Sequence, residues 1–200
     1  MHSPFYKFNI FAKTRSLKET YKNPNLILSP TFTQGKVAWR SPSNIALIKY
    51  WGKYGKQLPK NASLSMTLSK SYTETNVSFS LAKNLPQRRF LFEGESNEAF
   101  AARIWKFMES LDELFPFLAQ LNLSIETHNS FPHSAGIASS ASAMSALALC
   151  LVDMERQFFA SFRTEEEFYR KASYIARLGS GSASRSVYGS YTIWGGPSTV

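Results

Sequence analysis

Cysteine is almost missing from this chain: Cys150 stands alone among 200 residues, which excludes an internal disulfide. It falls inside an apolar helical pattern, where a small core residue is the simplest reading. Histidine is nearly as scarce. His2, His128 and His133 have no ligand spacing, so no zinc site of the usual kind is expected. No apolar run approaches the roughly 18 residues that a membrane span needs, and the sequence reads as that of a soluble protein. Charged residues make up only 18% against 44% hydrophobic, which places the chain among globular domains rather than disordered ones. Repeats and low-complexity tracts are absent as well. Two hundred residues suffice for one or two domains with a real core.

Acid is the other deficit, with 14 Asp and Glu against 23 Lys and Arg and a net charge of +9. Such an excess suits either nucleic acid or anionic small molecules. Its distribution favours the second. Residues 1–35 hold Lys7, Lys13, Arg15, Lys18 and Lys22 against Glu19 alone, and no other dense basic run occurs. A nucleic-acid surface more often shows a continuous basic stripe with exposed aromatics.

What is present centres on Asn129–Ala146, NSFPHSAGIASSASAMSA. Leu123 to Thr127 alternates with the period of a half-buried strand, and Ala138 to Val152 reads as a packed helix. Pro132 and Gly136 keep the strand from running into the helix. Ser139 and Ser140 then fall in the first helical turn, where unpaired N–H groups attract anions. Those hydroxyls suit a nucleotide's phosphates or a magnesium ion, or a serine merely capping the helix. The spacing is not that of the Gly-x4-Gly-Lys-Ser/Thr loop.

In chain order, Met1–Gly35, with Pro4, Pro24 and Pro30 and no sustained period, is expected to be an extension outside the fold and mobile. Its basic, acid-poor composition also fits a transit peptide or an upstream start. Residues 36–200 are expected to form the folded domain. Lys36–Trp39 reads as a strand ended by Ser41-Pro42-Ser43, and Gly52 and Gly55 flank Lys53 in a loop suited to ligand contacts. Ser63–Ser69 and Thr73–Ser80 read as two paired antiparallel strands, with Arg89–Phe92 a third. A helix is expected from Asn97 to Leu118, with Phe100, Ile104, Phe107, Met108, Leu111 and Leu114 as its core stripe. Thr164 and Glu167 form a capping box for a helix with Phe168, Ala172, Ile175 and Ala176 buried, ending at Gly179. Gly179-Ser180-Gly181-Ser182 beside Arg185 is either a second anion cradle or a plain helix end and turn. Tyr188–Trp194 returns as a strand.

Three stretches carry a family resemblance. Pro132-x-x-x-Gly136-Ile137-x-Ser139-Ser140-Ala141 resembles the phosphate loop of the GHMP kinase superfamily. Together with Ser43-Asn44-Ile45-Ala46-Leu47-Ile48-Lys49-Tyr50-Trp51-Gly52-Lys53 and Gly179-Ser180-Gly181-Ser182-Ala183-Ser184-Arg185-Ser186, in this order, it resembles the diphosphomevalonate decarboxylase family. The resemblance spans about residues 36 to 195. It implies an α+β fold of the ribosomal protein S5 domain 2-like type, an antiparallel sheet backed by helices. It also implies ATP as co-substrate with Mg2+, and phosphorylation of the 3-hydroxyl of mevalonate 5-diphosphate followed by loss of phosphate and carbon dioxide to give isopentenyl diphosphate. A cytoplasmic enzyme is expected, paired as a homodimer at full length, with neither nucleic acid nor membrane as partner.

Residue by residue, the resemblance places Tyr50, Trp51, Gly52 and Lys53 on the substrate diphosphate, and Ser180, Gly181, Ser182, Ala183, Ser184 and Arg185 in a second substrate loop. Arg185 would clamp a carboxylate or phosphate with its planar fork. Arg103 on the long helix would be another substrate-binding arginine, and Asn44 would hydrogen-bond the substrate near the reacting carbon. Lys49 would lie by the transferring phosphate, and Gly136, Ala138, Ser139 and Ser140 would hold the nucleotide, with Asn44, Lys49, Ser140 and Arg185 as the catalytic set. Taken singly, such lysines and arginines are usually solvated surface charges, and Tyr50 and Trp51 usually packing. The exchange of Leu for Ile137 conserves volume. The family's catalytic aspartate and its third, glycine-rich motif have no counterpart in these residues. Asp112 and Asp153 match neither, so the chain is expected to be inactive alone. Alternatives are a phosphomevalonate decarboxylase, a mevalonate kinase-like enzyme, or a non-catalytic nucleotide-binding fragment. No protein side chain is singled out as a metal ligand beyond those serine hydroxyls.

Overall fold

The structure, a computed structural model, describes residues 17–132 and 138–195. In order, the elements are Leu17–Tyr21 (α1), Gln34–Ile48 (β1), Lys53–Tyr54 (β2), Leu58–Pro59 (β3), Ser63–Leu81 (β4), Arg88–Phe92 (β5), Glu95–Ser96 (β6), Glu98–Glu109 (α2), a 3-10 turn at Pro116–Gln120, Leu121–Asn129 (β7), Ser139–Phe159 (α3), Glu165–Gly179 (α4), Ala183–Ser186 (α5) and Tyr191–Trp194 (β8).

β4 is the spine of the sheet because nothing in it breaks an extended chain: no glycine or proline interrupts Ser63 to Leu81. Antiparallel β1 runs along one edge, from Gln34 opposite Ser80 to Ile48 opposite Leu64. The other edge is shared end to end, with β7 against Thr73–Leu81 and β8 against Ser63–Met66. β5 lies parallel to β7, and β6 pairs back onto β5. The sheet is therefore mixed, where an antiparallel one was expected. The connection from β5 to β7 passes through α2, and a crossover of that length permits parallel pairing.

α3 packs on β1 and β4 with one side and on α4 with the other. It is buried all round from Ser145 to Glu155, as a helix between two layers must be. Each large side chain there contributes about 1.5–3 kcal/mol by leaving water. Trp39 anchors the layers, its Nε1 donating to Asp153 Oδ2 at 2.9 Å while its ring lies 5.5 Å from that of Phe168. α4 starts as expected: Glu167 N donates to Thr164 Oγ1 at 3.2 Å. The glutamate closes the turn one residue earlier than a capping box would, accepting from Arg163 N at 2.8 Å.

Several boundaries differ from expectation. β1 does not stop at Trp39 but passes through Pro42, because a register shift between Pro42 and Ser43 puts the missing N–H where no ladder bond is needed. Ser63–Ser69 and Thr73–Ser80 are halves of β4 rather than partners. Their alternation continues through Lys70–Tyr72, and alternation alone does not say where a chain turns back. α2 ends at Glu109, where Ser110 Oγ donates to Phe107 O at 2.6 Å. Leu111 and Leu114 reach the core from turns, and Pro116 opens the 3-10 turn.

Residues 17–35 belong to the fold, against the expectation of an extension ending at Gly35. Leu26 and Leu28 are buried, Leu28 N donates to Gln120 Oε1 at 2.8 Å, and the Phe32 ring lies 4.9 Å from Phe158. Their apolar residues lack a regular period because a strap laid across a finished surface follows that surface. Residues 1–16 lie outside the described residues. None of the described helices is long and apolar enough to cross a membrane.

Candidate active site

At its far end β1 meets β8 across β4, and α5 covers the inward side. Two glycines make the covering possible. A Cβ at Gly179 would stand 2.8 Å from Met144 Sδ and 3.1 Å from Phe107 Cζ, and one at Gly181 would stand 2.8 Å from Trp194 Cη2 and 3.2 Å from Lys53 Cε. They are there for close approach, not to loosen the backbone of a cradle. Ser184 is turned into the fold, its Oγ donating to Gly181 O at 3.0 Å and its carbonyl accepting from Ser173 Oγ at 3.2 Å. Ala183 is buried beside it.

Arg185 lies at the centre with 4% of its surface exposed. Its Nη1 donates to Ser63 Oγ and its Nη2 to Asn44 Oδ1, both at 3.2 Å, and its Nε has no partner. The guanidinium carbon sits 5.2 Å from the Trp194 ring centre and 5.9 Å from that of Tyr50. No ion pair among the described residues includes it. Burial pulls its pKa below the usual arginine value, partly offset by Tyr50, yet an arginine does not shed its proton. The site therefore keeps a buried positive charge whose hydrogen-bond partners among the described residues are neutral, which costs several kcal/mol unless an anion joins it. Lys171, by contrast, is equally buried but closes on Glu155 at 2.5 Å.

Lys53 supplies a second cation at the rim, its Nζ 5.7 Å from the Tyr50 ring centre and donating to Gln57 Oε1 at 2.6 Å. Tyr50 stands edge-on to Trp194 with centroids 4.9 Å apart. Trp51 is 79% exposed and Lys49 is exposed. Asn61 fixes their backbone: its Oδ1 accepts from Trp51 N at 2.6 Å and its Nδ2 donates to Lys49 O at 3.1 Å. Gly52 O accepts from Lys60 N at 3.2 Å, and Arg177 Nη1 donates to Lys56 O at 2.6 Å, which ties the loop to α4.

Asn44 is turned inward and 2% exposed. Its Nδ2 donates to Ser186 Oγ at 2.6 Å and Ser182 O at 3.4 Å while its Oδ1 takes Arg185, so both ends of the amide are occupied in orienting the arginine. Ser180 and Ser182 are half-buried at the turn between α4 and α5.

Arg103 and Ser140 are exposed positions on α2 and α3. Each stands four residues before a side chain that touches the Gly179 position, Phe107 on α2 and Met144 on α3. Residues four apart share a helix face, about 6 Å along the axis. Ser139 and Ser140 form the first turn of α3 behind Ala138, which has φ 57° and offers no side-chain cap, so the plain serine-cap reading fails. Gly136 and Ile137 lie outside the described residues.

Ser63, Asn61 and Trp194 were missed by sequence reasoning. Asn61 carried a signal, a polar residue between a lysine-rich loop and a strand; Ser63 and Trp194 gain their roles only from the pairing of β8 with β4.

The comparisons with known proteins agree with this geometry. The diphosphomevalonate decarboxylase-like N-terminal domain matches residues 41–198. Diphosphomevalonate decarboxylase of Saccharomyces cerevisiae is 36% identical over 166 residues, 77% of this chain and 40% of its own length. The protein of that name from Debaryomyces hansenii is 34% identical, over 77% of this chain and 41% of its own. Mevalonate diphosphate decarboxylase from Staphylococcus aureus superposes with a TM-score of 0.64 at 39% identity, covering 82% of this chain and 46% of its own. A solved complex of MDDEF with MVAPP, AMPPCP and magnesium gives 0.64 at 35%, over 82% and 47%. The chain thus spans less than half the length of these relatives. With all three motif stretches inside or bordering the matched span, the chain belongs to the diphosphomevalonate decarboxylase-like family, whose N-terminal domain it contains.

Proposed function

We propose that this chain supplies the phosphate-binding half of an ATP-dependent diphosphomevalonate decarboxylase. The observation that carries this is Arg185, a buried guanidinium with no carboxylate partner among the described residues, set beside the Tyr50 and Trp194 rings. Such a charge is preorganised for an anion and needs no rearrangement when one arrives. Lys53 adds charge for a diphosphate rather than a single phosphate, which favours mevalonate 5-diphosphate over mevalonate or its monophosphate.

In the proposed reaction, the 3-hydroxyl of the substrate takes the γ-phosphoryl group of ATP, and phosphate and carbon dioxide then leave. Arg185 and Lys53 hold the substrate, and Ser139 and Ser140 meet the nucleotide at the head of α3. Arg103 closes the side opposite, and Lys49 lies by the transferring group. Among the described residues, no cluster of three His, Cys, Asp or Glu side chains fits a metal. Magnesium prefers oxygen ligands and substrate phosphates, so it would ride on the nucleotide with the Ser139 or Ser140 hydroxyl as the chain's contribution. Alignment of the 3-hydroxyl needs a carboxylate from outside these residues, so the chain alone is expected to show no turnover.

Titration calorimetry of the chain with mevalonate, its 5-phosphate and its 5-diphosphate tests the reading. Heat should be strongest for the diphosphate and should collapse in Arg185→Lys, because an ammonium does not reproduce the two-pronged contact. Equal binding of all three ligands, or an unaffected Lys variant, would overturn it. In an assembled enzyme, Ser140→Ala should lower turnover by about two orders of magnitude, the usual loss for one donor aimed at developing charge.

A further inference from the structure

The hairpin that carries Lys53 has little of its own to hold it. β2 and β3 are two residues each and form a separate two-stranded sheet, and so short a ladder is not stable by itself. Gly55 and Gln57 turn through positive φ, at 51° and 63°, and residues 51–56 are all exposed. The base is anchored, with Pro59 buried and Lys60 N donating to Gly52 O. Among the described residues, the one hydrogen bond from the tip to the rest of the fold runs from Arg177 Nη1 to Lys56 O. Arg177 is 6% exposed, and no ion pair among the described residues includes it. Burial lowers its pKa, with Tyr174 and Tyr54 partly offsetting this, and the guanidinium stays charged. A cation in the last turn of α4 suits the helix dipole, but an exposed one would do so equally. Nor does stability ask for it, because an apolar side chain of similar volume commonly serves a buried position as well as an ion does. What the guanidinium adds is a directed donor to the hairpin.

We infer that Arg177 is a positioning residue of the anion site: through the Lys56 carbonyl it holds the hairpin so that Lys53 and Arg185 face the same Tyr50 ring, and it thereby sets the affinity for a diphosphate. The end of α4 meets the hairpin twice. Arg177 grips Lys56 O, and four residues on, a Cβ at Gly181 would stand 3.2 Å from Lys53 Cε and 3.3 Å from its Nζ. Arg185 follows after four more. Within the hairpin, Lys53 Nζ donates to Gln57 Oε1, on the residue after Lys56, at 2.6 Å. A shift of the tip therefore carries the ammonium with it. The acceptor on the hairpin is a carbonyl, so the tie cancels none of the positive charge that an anion meets. A carboxylate in that place would hold the loop and subtract from the field of the site. The inference rests on the catalytic reading in so far as Lys53 meets the diphosphate.

Two measurements test it. Without ligand, amide hydrogen exchange over residues 52–60 should quicken by about tenfold in Arg177→Met, with residues 88–92 of β5 unchanged. Unchanged exchange in the hairpin, or faster exchange everywhere, would overturn the clamp. With mevalonate 5-diphosphate, calorimetry should show Arg177→Met weakening binding by about tenfold, and Arg177→Lys, which keeps the charge and a donor, by less. The same Arg177→Met change made on top of Lys53→Met should cost no more than about twofold, since a misplaced hairpin then carries no ammonium to lose. An equal loss in both backgrounds is what a role in the fold alone predicts, and it would overturn the inference. Where Arg177→Met does not fold, Arg177→Gln, whose shorter neutral amide falls short of the carbonyl, carries both comparisons. No diphosphate binding by the unsubstituted chain, together with quickened exchange, would refute the catalytic reading and retain the clamp.

Discussion

The two halves of the β1–β4 pair share one strand and one alternation, yet they divide stability and chemistry between them. In the core half, Val37, Val77 and Phe79 face α3, while Arg40 and Glu74 pair across the solvent side. In the site half, Asn44, Ser63 and Ser65 face α5, and isoleucines look outward. A folding core tolerates no unpaired charge, and an anion site requires one. Keeping Arg185 on the inward side therefore demands serine and asparagine around it, and the apolar side chains of those strands are left outward.

Four tests, one for each face of each half, would break that division. The largest effect is expected inside the core half: Phe79→Ala should cost about 3–5 kcal/mol in urea unfolding, since its ring packs on Phe158 at 5.1 Å and Phe32 at 5.9 Å. A loss below 1 kcal/mol would mean that the core lies elsewhere. Inside the site half, Ser63→Ala strips one acceptor from Arg185 and the donor to Ile48 O, and should cost about 1–3 kcal/mol while weakening diphosphate binding. If stability falls without a change in binding, Ser63 serves the fold alone.

On the solvent side of the core half, the exposed Arg40–Glu74 pair should contribute far less than either inward residue in a double-mutant cycle. Its pH dependence has a definite sign. The hydrogen bond from Arg40 holds the Glu74 carboxyl below its usual value, so the contribution is present above the ordinary carboxylate range and is lost as pH falls through the lowered one. A contribution that grew on acidification would contradict this. Smallest of all, Ile193→Ala on the outward site half should leave the chain's stability within about 0.5 kcal/mol, as exposed positions do. A large loss there would show that this outward side is already covered.

Some of this was legible in advance. The α+β class, the cap at Thr164, the strand at Arg89–Phe92 and the helix end at Gly179 rest on short-range signals, turn residues, capping pairs and period, whereas the grouping of the Tyr50–Lys53 and Ser180–Arg185 stretches came from the family resemblance. Helix α2 was drawn too long because Leu111 and Leu114 continue its spacing from within turns. The strap at 17–35 was missed because its leucines have no period of their own.

The sequence by itself determined which residues alternate, where helices start, and that three motif stretches of one family stand in order; each is a property of neighbours along the chain. Only the tertiary structure decided which side of β4 is inside. A strand's alternation is identical for both assignments, and the choice depends on what covers each half: α3, which is buried all round, or α5, which brings a guanidinium. For the same reason the hydrogen bond from Arg185 to Asn44 could not be read in advance, because the two residues lie 141 positions apart in the chain.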